Sequence, residues 1–221
     1  MHINWKEHRL SLLIILAMFI AGLITWPNSP DLLPVHWGID GTVERYGGKF
    51  EGLLLMPLIS LGIFLLLIYL PYLDPRKANY LKFEKVYSMF IRLIVAFFGG
   101  IYTVTILYAY GVVANTNTFI MVLVGLLLAL LGNMFGKLRP TWFVGIRTAW
   151  TLSSDLSWDK THRLGGRIFV AAGLLMALAG ITGFTWLMIA SMAGLLLGVI
   201  ALFIYSYLIW KKDPDARSSR F

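Results

Sequence analysis

Four histidines, eleven acidic residues and no cysteine bound the chemistry open to this 221-residue chain. Without cysteine there are no disulfides, thiolate metal sites or thiol nucleophiles. The histidines are His2, His8, His36 and His162. The apolar segments place His36 and His162 on opposite sides of a membrane, so they cannot share a metal. A catalytic triad would have to combine His162 with Asp155 or Asp159 and a serine from 153–157. Those serines lack the strand-turn-helix elbow that presents a nucleophile. No HExxH, phosphate loop or dinucleotide fingerprint occurs. The expectation is a non-enzyme without cofactor or metal.

The remaining polar residues gather in three clusters. The first, LPVHWGIDGTVERYGGKFEG at 33–52, carries Pro34, His36, Trp37, Gly38, Asp40 and Glu44. Its glycines read as turns. With Asp31 it holds four acidic residues against Arg45 and Lys49, a net −2. It forms either a recognition surface or a plain Asp40–Gly41 turn with Trp37 anchored at the headgroups. The second cluster, LPYLDPRKANYLKF at 70–83, includes Asp74, Arg76 and Asn79. Asp74–Pro75 reads as an N-cap and first helical position. Tyr80, Phe83, Tyr87 and Phe90 then recur as in an interfacial helix that runs into a span.

The third cluster, at 132–167, is the most unusual. It holds Asn133, Lys137, Arg139, Pro140, Trp142, Arg147, Thr148, Trp150, Trp158, Thr161, His162 and Arg163. Ser153 or Ser154 can cap a short helix with Asp155 in its first turn. Asp159 and Arg163 are spaced to pair, and Trp158 and His162 share a helical face. The cluster is a docking platform or a site for an anionic group, or else an amphipathic belt helix lying on lipid.

These clusters must be positioned by apolar elements. The chain is 58% hydrophobic and 14% charged, with a mean hydropathy of +0.76. A soluble domain is ~45–50% apolar and ~25% charged. A bilayer crossing takes ~17–25 apolar residues. Leu10–Trp26 and Gly52–Tyr72 each supply one. The stretch 86–136 is too long for one and breaks at VANTNT, 113–118. The stretch 167–210 breaks at TGFT, 182–185, where Gly183 can turn. The expected fold is therefore all-α, a polytopic membrane bundle of six transmembrane helices.

Of the 19 Lys and Arg, all but Arg45 and Lys49 fall on one side if both termini are cytoplasmic. That bias sets an N-in, C-in orientation. Residues 1–85 form a two-span unit with outer loop 27–51 and inner loop 73–85. Residues 86–221 form a four-span module with cytoplasmic loop 137–166. No Asp, Glu, Lys or His lies in mid-span, which disfavours a proton-coupled pump. Ala190, Gly194 and Gly198 on the last span, and Gly125, Ala129, Gly132 and Gly136 on the fourth, form small-residue stripes for close helix packing.

The loops, taken in order, resemble the SdpI-like immunity proteins of Gram-positive bacteria. The matching stretches are LPVHWGIDGTVERYGGK, LPYLDPRKANY, GNMFGKLRPTWFVGIRTAWTL and WDKTHRLGGRIF. The resemblance implies a protein of the bacterial plasma membrane that protects its host from a secreted toxic peptide of the sporulation-delaying type. It also implies signalling, in which a small DNA-binding repressor is held at the cytoplasmic face. Carried over, the motif positions are Pro34, His36, Trp37, Gly38 and Asp40 outside. Inside they are Asp74, Pro75, Arg76, Asn79, Asn133, Lys137, Arg139, Pro140, Trp142, Gly145, Ile146, Arg147, Thr148, Trp150, Thr161, His162, Gly165 and Gly166. The expected partners are the bilayer, the toxic peptide and the repressor, with no direct nucleic-acid binding; a homo-oligomer is compatible with the small-residue stripes. The competing reading is a membrane enzyme or transporter acting on a lipid headgroup or small anionic solute, with His162 and Arg147 at its site.

Overall fold

The computed structural model describes residues 5–38, 42–113 and 116–215. Six of its helices are long and apolar enough to cross a membrane. Helix α1 is Trp5–Thr25. A hairpin follows, with strands β1, Leu32–Trp37, and β2, Val43–Gly48. One wide turn, Glu51–Leu55, leads into α2, Met56–Leu73. A 3-10 helix, Lys77–Phe83, leads into α3, Glu84–Ala109. Helix α4 is Thr116–Phe135, the short α5 is Ala149–Ser153, α6 is Asp155–Thr182 and α7 is Thr185–Lys212. Gly183 closes α6 in the left-handed conformation, φ 71°, which a residue with a Cβ adopts at a cost. The overlong apolar stretch is thus two helices, divided where the sequence allows a turn.

Both prolines of α2 are paired with tyrosines of α3. A proline supplies no N–H to the carbonyl four residues earlier, and lipid offers no water in compensation. Pro57 leaves the Leu53 carbonyl, and the Tyr102 hydroxyl donates to it at 2.9 Å. Pro71 leaves the Leu67 carbonyl, and the Tyr87 hydroxyl donates to it at 2.5 Å. Tyr87 therefore points into the bundle. It packs edge-on to Tyr80, with ring centroids 5.0 Å apart, and Tyr80 lies 5.3 Å from Phe83. Tyr80, Phe83 and Tyr87 are core residues beside Phe64, Ile91 and Trp158, not the lipid-facing stripe of an interfacial helix. The 77–83 segment is a 3-10 helix docked by these aromatics.

Helix α4 packs most extensively on α6. Their backbones meet through glycines. A Cβ on Gly125 would lie 2.5 Å from the Gly173 carbonyl oxygen, and one on Gly132 would lie 2.8 Å from that of Gly166. Water exclusion cannot drive helix pairing in lipid, so this close approach supplies the contact instead. The last-span stripe behaves otherwise. Gly198 is filled by the Ile168 side chain of α6, whereas Gly194 has open space around it and Ala190 is exposed. The large exposed side chains of α7 and α1 form the surface a bilayer would cover.

The hairpin adds two strands to an otherwise helical chain. Leu32 pairs with Gly48, Pro34 with Tyr46 and Trp37 with Val43. Leu33 is buried and sits against Gly52, where any Cβ would collide with it. This contact fixes the hairpin to the start of α2.

Candidate functional site

At the end of the bundle carrying the basic loops, one carboxylate organises two distant segments. Asp74 is 2% exposed. It ends α2 and does not open a helix; the 3-10 helix is preceded by Arg76. Asp74 accepts hydrogen bonds from the Arg76 N–H at 2.7 Å, the Tyr80 hydroxyl at 3.0 Å and the Trp142 N–H at 2.9 Å. Three donors satisfy a charge that would otherwise be costly to bury. Two further bonds tie the same segments. The Arg76 guanidinium donates to the Leu152 carbonyl at 2.8 Å, and the Asn79 amide to the Pro140 carbonyl at 2.8 Å.

The 141–148 loop then lies over the first turns of α6. Trp158 and His162 stack with centroids 4.0 Å apart, at 0% and 1% exposure. The Trp158 indole N–H donates to the Leu138 carbonyl at 3.1 Å. The Ile146 N–H donates to His162 Nε2 at 2.8 Å, so Nε2 is unprotonated. Nδ1, 2.8 Å from the Trp158 carbonyl, then carries the proton of a neutral ring. Gly145 crosses directly above this pair. Its φ is +113°, and a Cβ there would fall 2.5 Å from His162 Nε2. Ile146 in turn fills the space over Gly165.

This placement corrects two sequence expectations. Trp158 and His162 share a face, but the face is buried, so they belong neither to a lipid belt nor to an open anion site. The 155–166 segment is the beginning of α6 itself, started by Ser154, whose hydroxyl accepts the Ser157 N–H at 2.9 Å. The ion pairs of the described residues include Arg45–Glu51, Lys49–Asp31 and Arg92–Glu7, but Asp159 and Arg163 do not reach the ion-pair distance that their spacing allows.

Helix α7 latches the same loop. Thr148 forms a reciprocal cap with Thr151 at the start of α5, and its hydroxyl is 2.9 Å from that of Ser206. The Ser157 hydroxyl donates to the Ser206 carbonyl at 2.8 Å. Ser154 donates to the Asp213 carboxylate. Trp150 packs edge-on to Phe203, 4.8 Å away, and lies 5.2 Å from Tyr207. Thr161 is buried, and its hydroxyl has no hydrogen-bond partner among the described residues. Ser206, Asp213 and Thr151 were not singled out by sequence reasoning, and Ser157 entered it only as one of the candidate triad serines. A serine in the apolar run of α7, which holds only Ser191 besides, was the available signal for Ser206.

Around this buried frame stand the exposed residues: Asn133, Lys137, Arg139, Trp142, Arg147 and Arg163. Trp142 is 46% exposed, and Arg147 donates to the Trp142 carbonyl at 2.8 Å. Pro140 is buried. The platform is thus an exposed basic and aromatic rim on a buried hydrogen-bonded base.

At the opposite end stands the hairpin, held by apolar packing of Leu33 against Gly52. Pro34 is buried, His36 and Glu44 are exposed, and their side chains approach to 3.5 Å. Trp37 meets Tyr108 edge-on at 5.9 Å, and its buried indole nitrogen has no partner among the described residues. The Gly38 N–H donates to the Thr42 carbonyl at 2.8 Å. Asp40 lies outside the described residues. Glu44 also borders a cleft of about 620 Å³ between the start of α4 and the α6–α7 turn, lined in part by Asn117, Thr118, Met121, Phe184 and Met188.

Residues 137–206, which include the loop, α6 and most of α7, match the model of the SdpI/YfhL protein family. Residues 13–61, which include the hairpin, match a domain of unknown function, DUF1648. The chain is 22% identical over 212 residues to a protein named Immunity protein SdpI from Bacillus subtilis (strain 168), covering 96% of this chain and 100% of that one. No solved structure matches it. Six membrane-length helices and these similarities identify a multi-pass protein of the bacterial plasma membrane. The clamped loop thus lies inside the stretch similar to the SdpI/YfhL family, and the similarity to an immunity protein runs from end to end.

Proposed function

We propose that this chain is a non-enzymatic membrane immunity protein that protects its host from a secreted toxic peptide. The observation that carries the reading is similarity to an immunity protein along nearly the whole chain, not over one helix pair. The hairpin and the cleft beside Glu44 face outward and meet the peptide. The platform of Lys137, Arg139, Trp142, Arg147 and Arg163 faces the cytoplasm, where a small DNA-binding repressor is the partner. The loop distribution of Lys and Arg supports that orientation. Both ring nitrogens of His162 are engaged within the fold, which weighs against an enzyme built on it.

For a signal to cross, the peptide must bind one helix arrangement better than another, because equal affinity for both shifts nothing. The decisive experiment is a killing curve with a sporulation-delaying-type peptide. Cells expressing the chain survive a higher dose than cells without it, and identical curves overturn the reading. Orientation is tested separately. The chain has no cysteine, so Thr42→Cys and Lys160→Cys each give a single labelling site. An impermeant maleimide labels the first on intact cells and the second only after permeabilisation. Labelling of both on intact cells overturns the orientation.

A further inference from the structure

We propose that the crevice between the 3-10 helix, residues 139–140 and the first turns of α6 binds the zwitterionic headgroup of a phosphatidylethanolamine-class lipid. This site shares Arg139 with the platform but does not rest on the immunity reading. Lys82, Arg139, Asp155 and Asp159 line the crevice with Asn79 and Pro140, around a volume of about 380 Å³. Two cations and two carboxylates therefore share one opening. Among the described residues, none of the four reaches ion-pair distance from an opposite charge. Opposite charges that line a crevice without closing on each other leave room for a ligand that carries both signs.

The charge pattern selects among ligands. A bare anion gains Lys82 and Arg139 but meets both carboxylates. A bare cation gains the carboxylates but meets both basic groups. A phosphate joined to an ammonium satisfies both sets through charge-assisted hydrogen bonds. The crevice is thus unlike an ordinary basic anchor, which prefers anionic lipid.

Its surroundings favour a lipid over a soluble zwitterion. Leu81 and Leu156, the sequence neighbours of Lys82 and Asp155, are exposed hydrophobic residues where the α3 and α6 spans begin. The walls are fixed in advance. Asn79 is bonded to the Pro140 carbonyl at 2.8 Å, and Trp158 to the Leu138 carbonyl at 3.1 Å. A preformed site gives up little ordering entropy on binding.

The test is native mass spectrometry of the full chain, released from nanodiscs holding equal phosphatidylethanolamine and phosphatidylglycerol. The expected result is preferential retention of phosphatidylethanolamine. Asp155→Asn with Asp159→Asn removes the ammonium partners and lowers the phosphatidylethanolamine-to-phosphatidylglycerol ratio roughly threefold or more. Lys82→Gln with Arg139→Gln lowers retention of both lipids. Asp159→Asn alone lies beyond the first turn of α6 and carries the test if the double variant does not fold. Equal retention by the parent chain, or an unchanged ratio in the Asp variants, overturns the proposal. Glycerophosphoethanolamine, which lacks tails, leaves the unfolding temperature unchanged at a concentration where the lipid raises it. An equal rise with both overturns the lipid assignment.

Discussion

The two ends of this bundle are built on different principles. At the basic-loop end, segments far apart in sequence are bonded into one unit. Asp74 holds Trp142, Arg76 holds Leu152, Ile146 holds His162 and Ser154 holds Asp213. At the hairpin end, the ion pairs are surface contacts, such as Arg45–Glu51 and Lys49–Asp31. Such pairs contribute little to stability. A buried bond whose partner is removed costs far more. The difference teaches where each end can change. The hairpin can vary what it presents without unfolding the bundle, whereas the basic-loop end has little freedom beneath its exposed rim.

Substitutions can break or sharpen this contrast, read as thermal unfolding of the detergent-purified chain. The largest effect is expected for Asp74→Ala, which takes the shared acceptor from three donors at once, the Tyr80 hydroxyl among them buried, and costs about 4 kcal/mol. An unfolding temperature equal to that of the parent would remove Asp74 as the organiser. Gly145→Ala comes next, at about 3 kcal/mol, because it combines a left-handed backbone with a clash against His162. Its counterpart at the other end is Gly48→Ala, which meets open space and should shift stability by less than about 0.5 kcal/mol. Equal losses at the two glycines would erase the contrast.

Smaller effects follow. Tyr87→Phe and Tyr102→Phe each free one carbonyl of α2 and cost about 1 kcal/mol. The two sites share no partner, so the double variant should show the sum. A single-variant loss near zero would show that the proline-freed carbonyls need no hydroxyl. The smallest stability change belongs to Glu44→Ala, within about 0.5 kcal/mol. Under the proposed function it still lowers the survivable peptide dose in a killing curve. A variant that protects as well as the parent would take Glu44 out of the recognition surface.

Much of this architecture was legible in the residues. The apolar stretches were too long or too well bounded to be anything but spans, and Gly183 marked the turn between the last two. The LRPTWFVGIRTAW stretch carried the family resemblance. The hairpin was harder to see. Its six-residue strands contain Pro34, Gly47 and Gly48, which read as turns when no partner strand is known. The glycine contacts of α4 were marked by spacing, but spacing also pointed to Ala190 and Gly194, which remain exposed.

The sequence alone determined that the chain spans a membrane about six times, because apolar length against bilayer thickness is a one-dimensional criterion. Tertiary structure decided which face of each helix turns inward. Lipid is as apolar as the protein interior, so a span made of Leu, Ile and Phe carries little signal for its buried side. Only the fold reveals that Tyr87 and Tyr102 answer two prolines, or that Trp158 and His162 form the floor beneath Gly145. Those choices depend on where lone polar groups find partners, and the partners come from segments 16 to 76 residues away, as with Ile146 and His162 or Arg76 and Leu152.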